Sequence, residues 1–112
     1  MNDSGQIIAA LGALAQSHRL AAFRALVEAG PAGLPAGDIA TRLGIAASSL
    51  SFHLAQLERA GLVRAVRAGR SIIYSADFAA MTALVGYLTE NCCGGGVCTP
   101  ADAALPTERN AA

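Results

Sequence analysis

Three thiols crowd the C-terminal part of the chain. Cys92 and Cys93 are adjacent, Cys98 follows five residues after Cys93, and Gly94-Gly95-Gly96 lies between them. No other cysteine occurs in the 112 residues. Glycines leave the backbone free to fold Cys98 back on the pair. Three converging thiolates suit a three-coordinate soft ion, since soft sulfur donors select soft metals and metalloids. Trivalent arsenic carries a lone pair and takes three sulfurs in a pyramid; antimonite is a further candidate. Zinc prefers four ligands, usually cysteine with histidine, and the two histidines, His18 and His53, lie far from the cluster in sequence. Three cysteines scattered over the chain would carry no message; three within seven residues around a triple glycine are expected to be ligands.

A second constellation lies mid-chain. Ser48, Ser49, Ser51, Phe52 and Gln56 fall on the outward side of a helix candidate, with His53 nearby. Serine and glutamine are short polar readers of phosphates and base edges. Ser48 and Ser49 fall in a first helical turn, where backbone N–H groups favour phosphate. Arg67 and Arg70 flank a glycine and would reach a neighbouring DNA backbone or minor groove. Taken singly, each has a plainer reading. Serines often cap helices, surface arginines are often only solvated, and His53 is a candidate for a hydrogen-bonded structural role.

The elements that position these residues follow from periodicity. A first helix is expected from Ile7 to Leu14, with Ile7, Ile8, Leu11 and Leu14 on one side. A second starts at Ser17 as N-cap, carries Leu20, Phe23, Leu26 and Val27, and stops at Gly30-Pro31. After a loop, Pro35 as first helical residue opens a short helix to Leu43, closed by Gly44. The next, about Ala47 to Ala60, carries Leu50, Leu54 and Leu57. Two short helices around a tight turn make a helix-turn-helix candidate. The period then changes. Leu62 to Val66 and Ser71 to Ser75 read as strands of a hairpin, joined by a turn over Arg67 to Arg70. A last helix, Asp77 to Thr89, has the stripe Phe78, Met81, Leu84, Val85 and Leu88. So small a domain leaves that stripe little to pack on, and a partner's matching helix is its natural cover.

This order, mainly α with one small β-hairpin, is that of a winged helix-turn-helix, with the second helix of the pair in the major groove. The run Ser48-Ser49-Leu50-Ser51-Phe52-His53-Leu54-Ala55-Gln56-Leu57-Glu58-Arg59-Ala60-Gly61-Leu62-Val63 resembles the recognition-helix signature of the ArsR/SmtB family of metalloregulatory repressors. Arg67-Ala68-Gly69-Arg70 with Ile73-Tyr74 resembles that family's wing, and Ala9 to Leu26, with His18-Arg19-Leu20, is similar to its second helix. The resemblance covers roughly Ile7 to Thr89. It implies a homodimer joined through its first and last helices, bound to a palindromic double-stranded operator and released by its inducer. Some relatives hold zinc through histidine and carboxylate on the last helix, but Asp77 to Thr89 has no histidine. Many arsenic sensors of the family carry Cys-x-Cys on the first helix of the helix-turn-helix, but Pro35 to Leu43 has no cysteine. The run from Thr89 to Cys98 instead looks like the C-terminal arsenite site of one branch. Cys92, Cys93 and Cys98 are therefore the expected ligands.

Composition fits this reading. Hydrophobic residues make up 54 % of the chain and aromatics only 4 %. The core must therefore come from Leu, Ile, Val and Ala. The formal net charge is zero, which by itself argues against nucleic acid. Yet Arg19 to Arg70 holds seven arginines against Glu28, Asp38 and Glu58, a local excess of four. No apolar run approaches the roughly 20 residues of a membrane span, and no basic segment leads into an apolar one near Met1. A cytoplasmic protein with reduced thiols is expected, with no membrane association. The domain plan is 1–91 for DNA binding and dimerisation, 92–98 for the inducer, and 99–112 as a disordered tail rich in Ala, Pro and charge. A vicinal thiol pair suits an oxidation sensor on the same fold, although no arginine or histidine adjoins the cysteines to activate them. An enzyme is disfavoured, because the cysteines follow a helix end, where the dipole opposes thiolate.

Overall fold

The structure is a computed structural model, and it describes residues 4–95. Five helices and a three-stranded sheet follow the order α1 (Ser4–Leu14), α2 (Ser17–Ala29), β1 (Leu34–Pro35), α3 (Ala36–Leu43), α4 (Ala47–Arg59), β2 (Val63–Ala68), β3 (Ser71–Ala76) and α5 (Phe78–Thr89). A 3-10 turn, Cys92–Gly95, follows. Cys98 and the tail 99–112 lie outside the described residues. No helix among the described residues is long and apolar enough to cross a membrane.

The core is aliphatic. Leu26, Ile39, Leu50, Leu54, Leu57 and Leu62 are fully buried, with Ile7 beneath α1 and Phe23 from α2. Burying each such side chain contributes about 1.5–3 kcal/mol. Leu50, Leu54 and Leu57 recur at helical spacing, so one face of α4 is buried and the opposite face is left outward. The turn between α3 and α4 is closed by Gly44 at φ 68°, ψ 34°, whose N–H donates to the Ala40 carbonyl at 2.9 Å. That left-handed cap suits glycine and fixes the angle at which α4 departs.

The hairpin pairs Val63 with Ala76 through to Ala68 with Ser71. Arg67 and Ala68 therefore belong to the strand, and the expected four-residue turn contracts to Gly69-Arg70, with Gly69 at φ 63°. A third strand was not foreseen. Leu34 pairs with Tyr74 and Pro35 with Ile73, which puts β1 on the free edge of β3. Proline tolerates an edge position because it has no N–H to donate. Pro35 is thus the extended residue preceding α3 (φ −64°, ψ 149°), not its first helical residue. Gln16, not Ser17, caps α2: its side-chain oxygen accepts the Arg19 N–H at 2.9 Å. At the far end Asp77 caps α5, accepting the Ala80 N–H at 3.0 Å, and its own N–H donates to the Leu62 carbonyl at 2.8 Å. That bond ties the start of α5 to the start of the hairpin.

Two expected stripes divide between core and surface. On α1, Ile7 is buried with Ala10, while Ile8 is 67 % exposed and Leu11 is 40 % exposed. On α5, Leu84 is buried, but Val85 is 55 % exposed and Leu88 is 59 % exposed. α1 and α5 pack on one another, and these apolar side chains are left uncovered in the single chain.

Candidate nucleic-acid interface and thiol site

The outward face of α4 is built by the same periodicity that buries its leucines. Ser48, Phe52 and Gln56 stand one turn apart, opposite Leu50, Leu54 and Leu57. Ser48, Ser49 and Ser51 are exposed, Phe52 is exposed, and Gln56 is half-buried at the margin. Arg59 continues this face one turn after Gln56 and is exposed. Sequence reasoning passed over it, although its i+3 spacing from Gln56 was the available signal. Arg67 and Arg70 are both exposed on the wing. Arg64 is exposed too, but its guanidinium is engaged by Asp77, Nε to Oδ2 at 3.3 Å. Asp77 lies below the usual carboxylate range, chiefly because the Ala80 N–H donates to it, with Arg64 adding to the effect against the opposing cost of burial.

His53 does not share the outward face. It is half-buried and turned toward α2, where its Nδ1 lies 3.5 Å from Arg19 Nη1 and its ring centroid 5.4 Å from that of His18. Burial first, then the charge of Arg19 and then His18, hold its pKa below the ordinary histidine value. The neutral ring is thereby favoured, and a neutral Nδ1 can accept from the guanidinium. Arg19 also donates through Nε to the Ala13 carbonyl at 2.6 Å. One side chain thus fastens the last turn of α1 to α4, a link that no sequence motif announced.

The thiols begin three residues beyond α5. Cys92 and Cys93 are both exposed and free, with sulfurs 3.6 Å apart. That is well beyond the roughly 2.05 Å of a disulfide. The two sulfurs are near enough for one ion to touch both. Asn91 at φ 57° and Cys93 at φ 58° hold left-handed backbone that non-glycine residues rarely adopt, and Gly94 follows at φ 66°. This reversal stops the chain from continuing along the α5 axis. Among the described residues no three His, Cys, Asp or Glu side chains are grouped to hold a metal. The third expected ligand, Cys98, falls outside them.

A family model described as a helix-turn-helix domain matches residues 14–66. The chain is 42 % identical over 72 residues to the HTH-type transcriptional regulator NmtR of Mycobacterium tuberculosis. That match covers 64 % of this chain and only 58 % of NmtR. Among solved structures, an ArsR-like transcriptional regulator from Rhodococcus sp. RHA1 superposes with a TM-score of 0.69 at 25 % identity, over 96 % of both chains. A homodimeric winged helix-turn-helix DNA-binding domain from Mycobacterium bovis, described as a possible ArsR-family regulator, gives 0.62 at 27 % identity, over 82 % of this chain and 85 % of that one. With the element order and the outward face of α4, these likenesses show a winged helix-turn-helix fold similar to that of ArsR-like transcriptional regulators.

Proposed function

We propose that this chain is a cytoplasmic homodimeric repressor that binds double-stranded operator DNA and lets go when trivalent arsenic engages Cys92, Cys93 and Cys98. The observation that carries the reading is the pair of exposed sulfurs 3.6 Å apart immediately beyond α5. Dimerisation is supported by the uncovered Ile8, Leu11, Val85 and Leu88 on α1 and α5, and by the homodimeric state of the Mycobacterium bovis neighbour. In a two-fold dimer the two α4 helices would enter successive major grooves about one helical turn apart. Ser48, Ser49, Ser51, Phe52 and Gln56 would face base edges and phosphates there. Arg67 and Arg70 on the wing, and Arg59 at the end of α4, would meet the backbone. His53 serves instead as the anchor of α4 on α2.

A bound arsenic centre supplies three positions for sulfur and needs no fourth donor. Gathering Cys98 onto the Cys92–Cys93 pair would close the glycine segment and re-seat the end of α5. Helix α5 rests on α1, and Arg19 fastens α1 to His53 on α4. A displacement at the thiols therefore reaches the DNA-reading helix through two packed contacts. The inducer shifts the equilibrium only by its difference in affinity for the two arrangements.

A second reading uses the same pair of thiols. Hydrogen peroxide would remove two electrons and two protons from Cys92 and Cys93, leaving a disulfide and water. The test is release of a fluorescent duplex, selected from a random pool, in parallel titrations with arsenite, antimonite, zinc, cadmium and peroxide. Release by arsenite at the lowest concentration supports the arsenic reading. Release by peroxide alone replaces it with the oxidation reading. Release by zinc alone overturns both.

A further inference from the structure

Helix α4 presents one large apolar side chain to the outside. Phe52 is 59 % exposed, and no other large hydrophobic residue of α4 is exposed among the described residues. It stands opposite Leu50, Leu54 and Leu57, so neither the core nor the apolar faces of α1 and α5 explain it. The His53 ring meets it at 5.7 Å and 66°, edge to face, and His53 is itself held by Arg19. Its neighbours one turn either way, Ser48 and Gln56, are polar and uncharged, and no arginine or lysine occurs in α4 before Arg59.

That pattern has a chemical meaning in a major groove. Guanine is commonly read by a bidentate arginine or lysine, and the central turns of α4 offer neither. The only methyl group that an unmodified base pair presents in the major groove is the C5 methyl of thymine. We propose that Phe52 packs on a thymine methyl in each operator half-site and is a specificity-determining residue of this protein. The inference rests on the DNA-binding reading above and adds the base that α4 selects. The contact removes the exposed apolar surface of the ring from water.

The test uses the full chain and a duplex selected from a random pool, with each thymine of one half-site replaced in turn by deoxyuridine. The replacement removes the methyl and keeps Watson–Crick pairing. Wild-type protein should lose about four-fold in affinity at one such position, the worth of about one buried methyl group. Phe52→Ala should bind more weakly and no longer distinguish the two duplexes, while Phe52→Leu should still distinguish them. Since Phe52 is exposed, both variants should keep the wild-type unfolding midpoint. Wild-type binding that ignores uracil at every position overturns this inference alone, and so does undiminished discrimination by Phe52→Ala. Failure of the wild-type chain to bind any duplex overturns the DNA-binding reading together with it.

Discussion

At the scale of single residues, short-range bonds decide which side chains are free to act. Asp77 ends the wing, caps α5 and holds Arg64, and the same bonds depress its pKa. A carboxylate with a depressed folded pKa stabilises the fold above its unfolded value, and the contribution is lost as pH falls through the folded value. Asp77→Ala is expected to cost about 1 kcal/mol as a lost cap, read by urea unfolding at pH 7. Asp77→Asn is expected to flatten the acid limb of the stability curve. His53 follows the same sign for a different reason. With its folded pKa below the ordinary value, it stays neutral while the unfolded chain takes up its proton. Stability is then full above about pH 6.5, the unfolded value, and declines as pH falls through the folded one. His53→Gln should remove that decline from a thermal-unfolding series between pH 7.5 and 5. Chemistry-bearing types were legible at this scale, but partners were not. Ser48, Phe52 and Arg67 show their exposure through periodicity alone. That His53 turns inward depends on Arg19, 34 residues away, and no local pattern encodes that.

At the scale of elements, the helices were legible because their apolar periods are long and end in glycine or proline. The edge strand Leu34–Pro35 was not, since two residues carry no period and a proline before a helix ordinarily signals its first turn. What makes it a strand is the free edge of β3, a tertiary fact. Gly33 shows how tightly that edge is docked. It has φ 73°, and an added Cβ would collide with the Tyr74 backbone oxygen. Gly33→Ala should destabilise the protein by about 1–3 kcal/mol, measured by urea unfolding, through a left-handed alanine and a displaced β1. Gly30, at φ 82° and ψ −169°, has open space around it, so Gly30→Ala should bring backbone strain without a collision. The wing likewise came out tighter than its sequence suggests. Its register extends to Ala68 and Ser71, so only Gly69 and Arg70 turn.

At the scale of the whole molecule, neutrality conceals a basic middle, and a small aliphatic core leaves apolar helix faces uncovered. Val85 and Leu88 belong to the stripe expected to need a partner's cover, and with Ile8 and Leu11 of α1 they are exposed in the single chain. Leu88→Glu should shift the protein from dimer to monomer in analytical ultracentrifugation and weaken operator binding. A monomer at unchanged DNA affinity would separate dimerisation from recognition. The thiol trio was the most conspicuous feature of the sequence, yet the described residues hold only two of its members. Spacing nominates candidate ligands, whereas convergence depends on backbone that spacing leaves free.

The central claim joins the thiols to the grip on DNA. It is tested most directly by fluorescence anisotropy of an operator duplex under arsenite titration, with wild-type protein beside Cys92→Ser, Cys93→Ser and Cys98→Ser. Wild-type protein should release the duplex, while each variant should bind it as tightly and hold it throughout the titration. Arsenite-driven release by Cys92→Ser at wild-type concentrations would contradict the account.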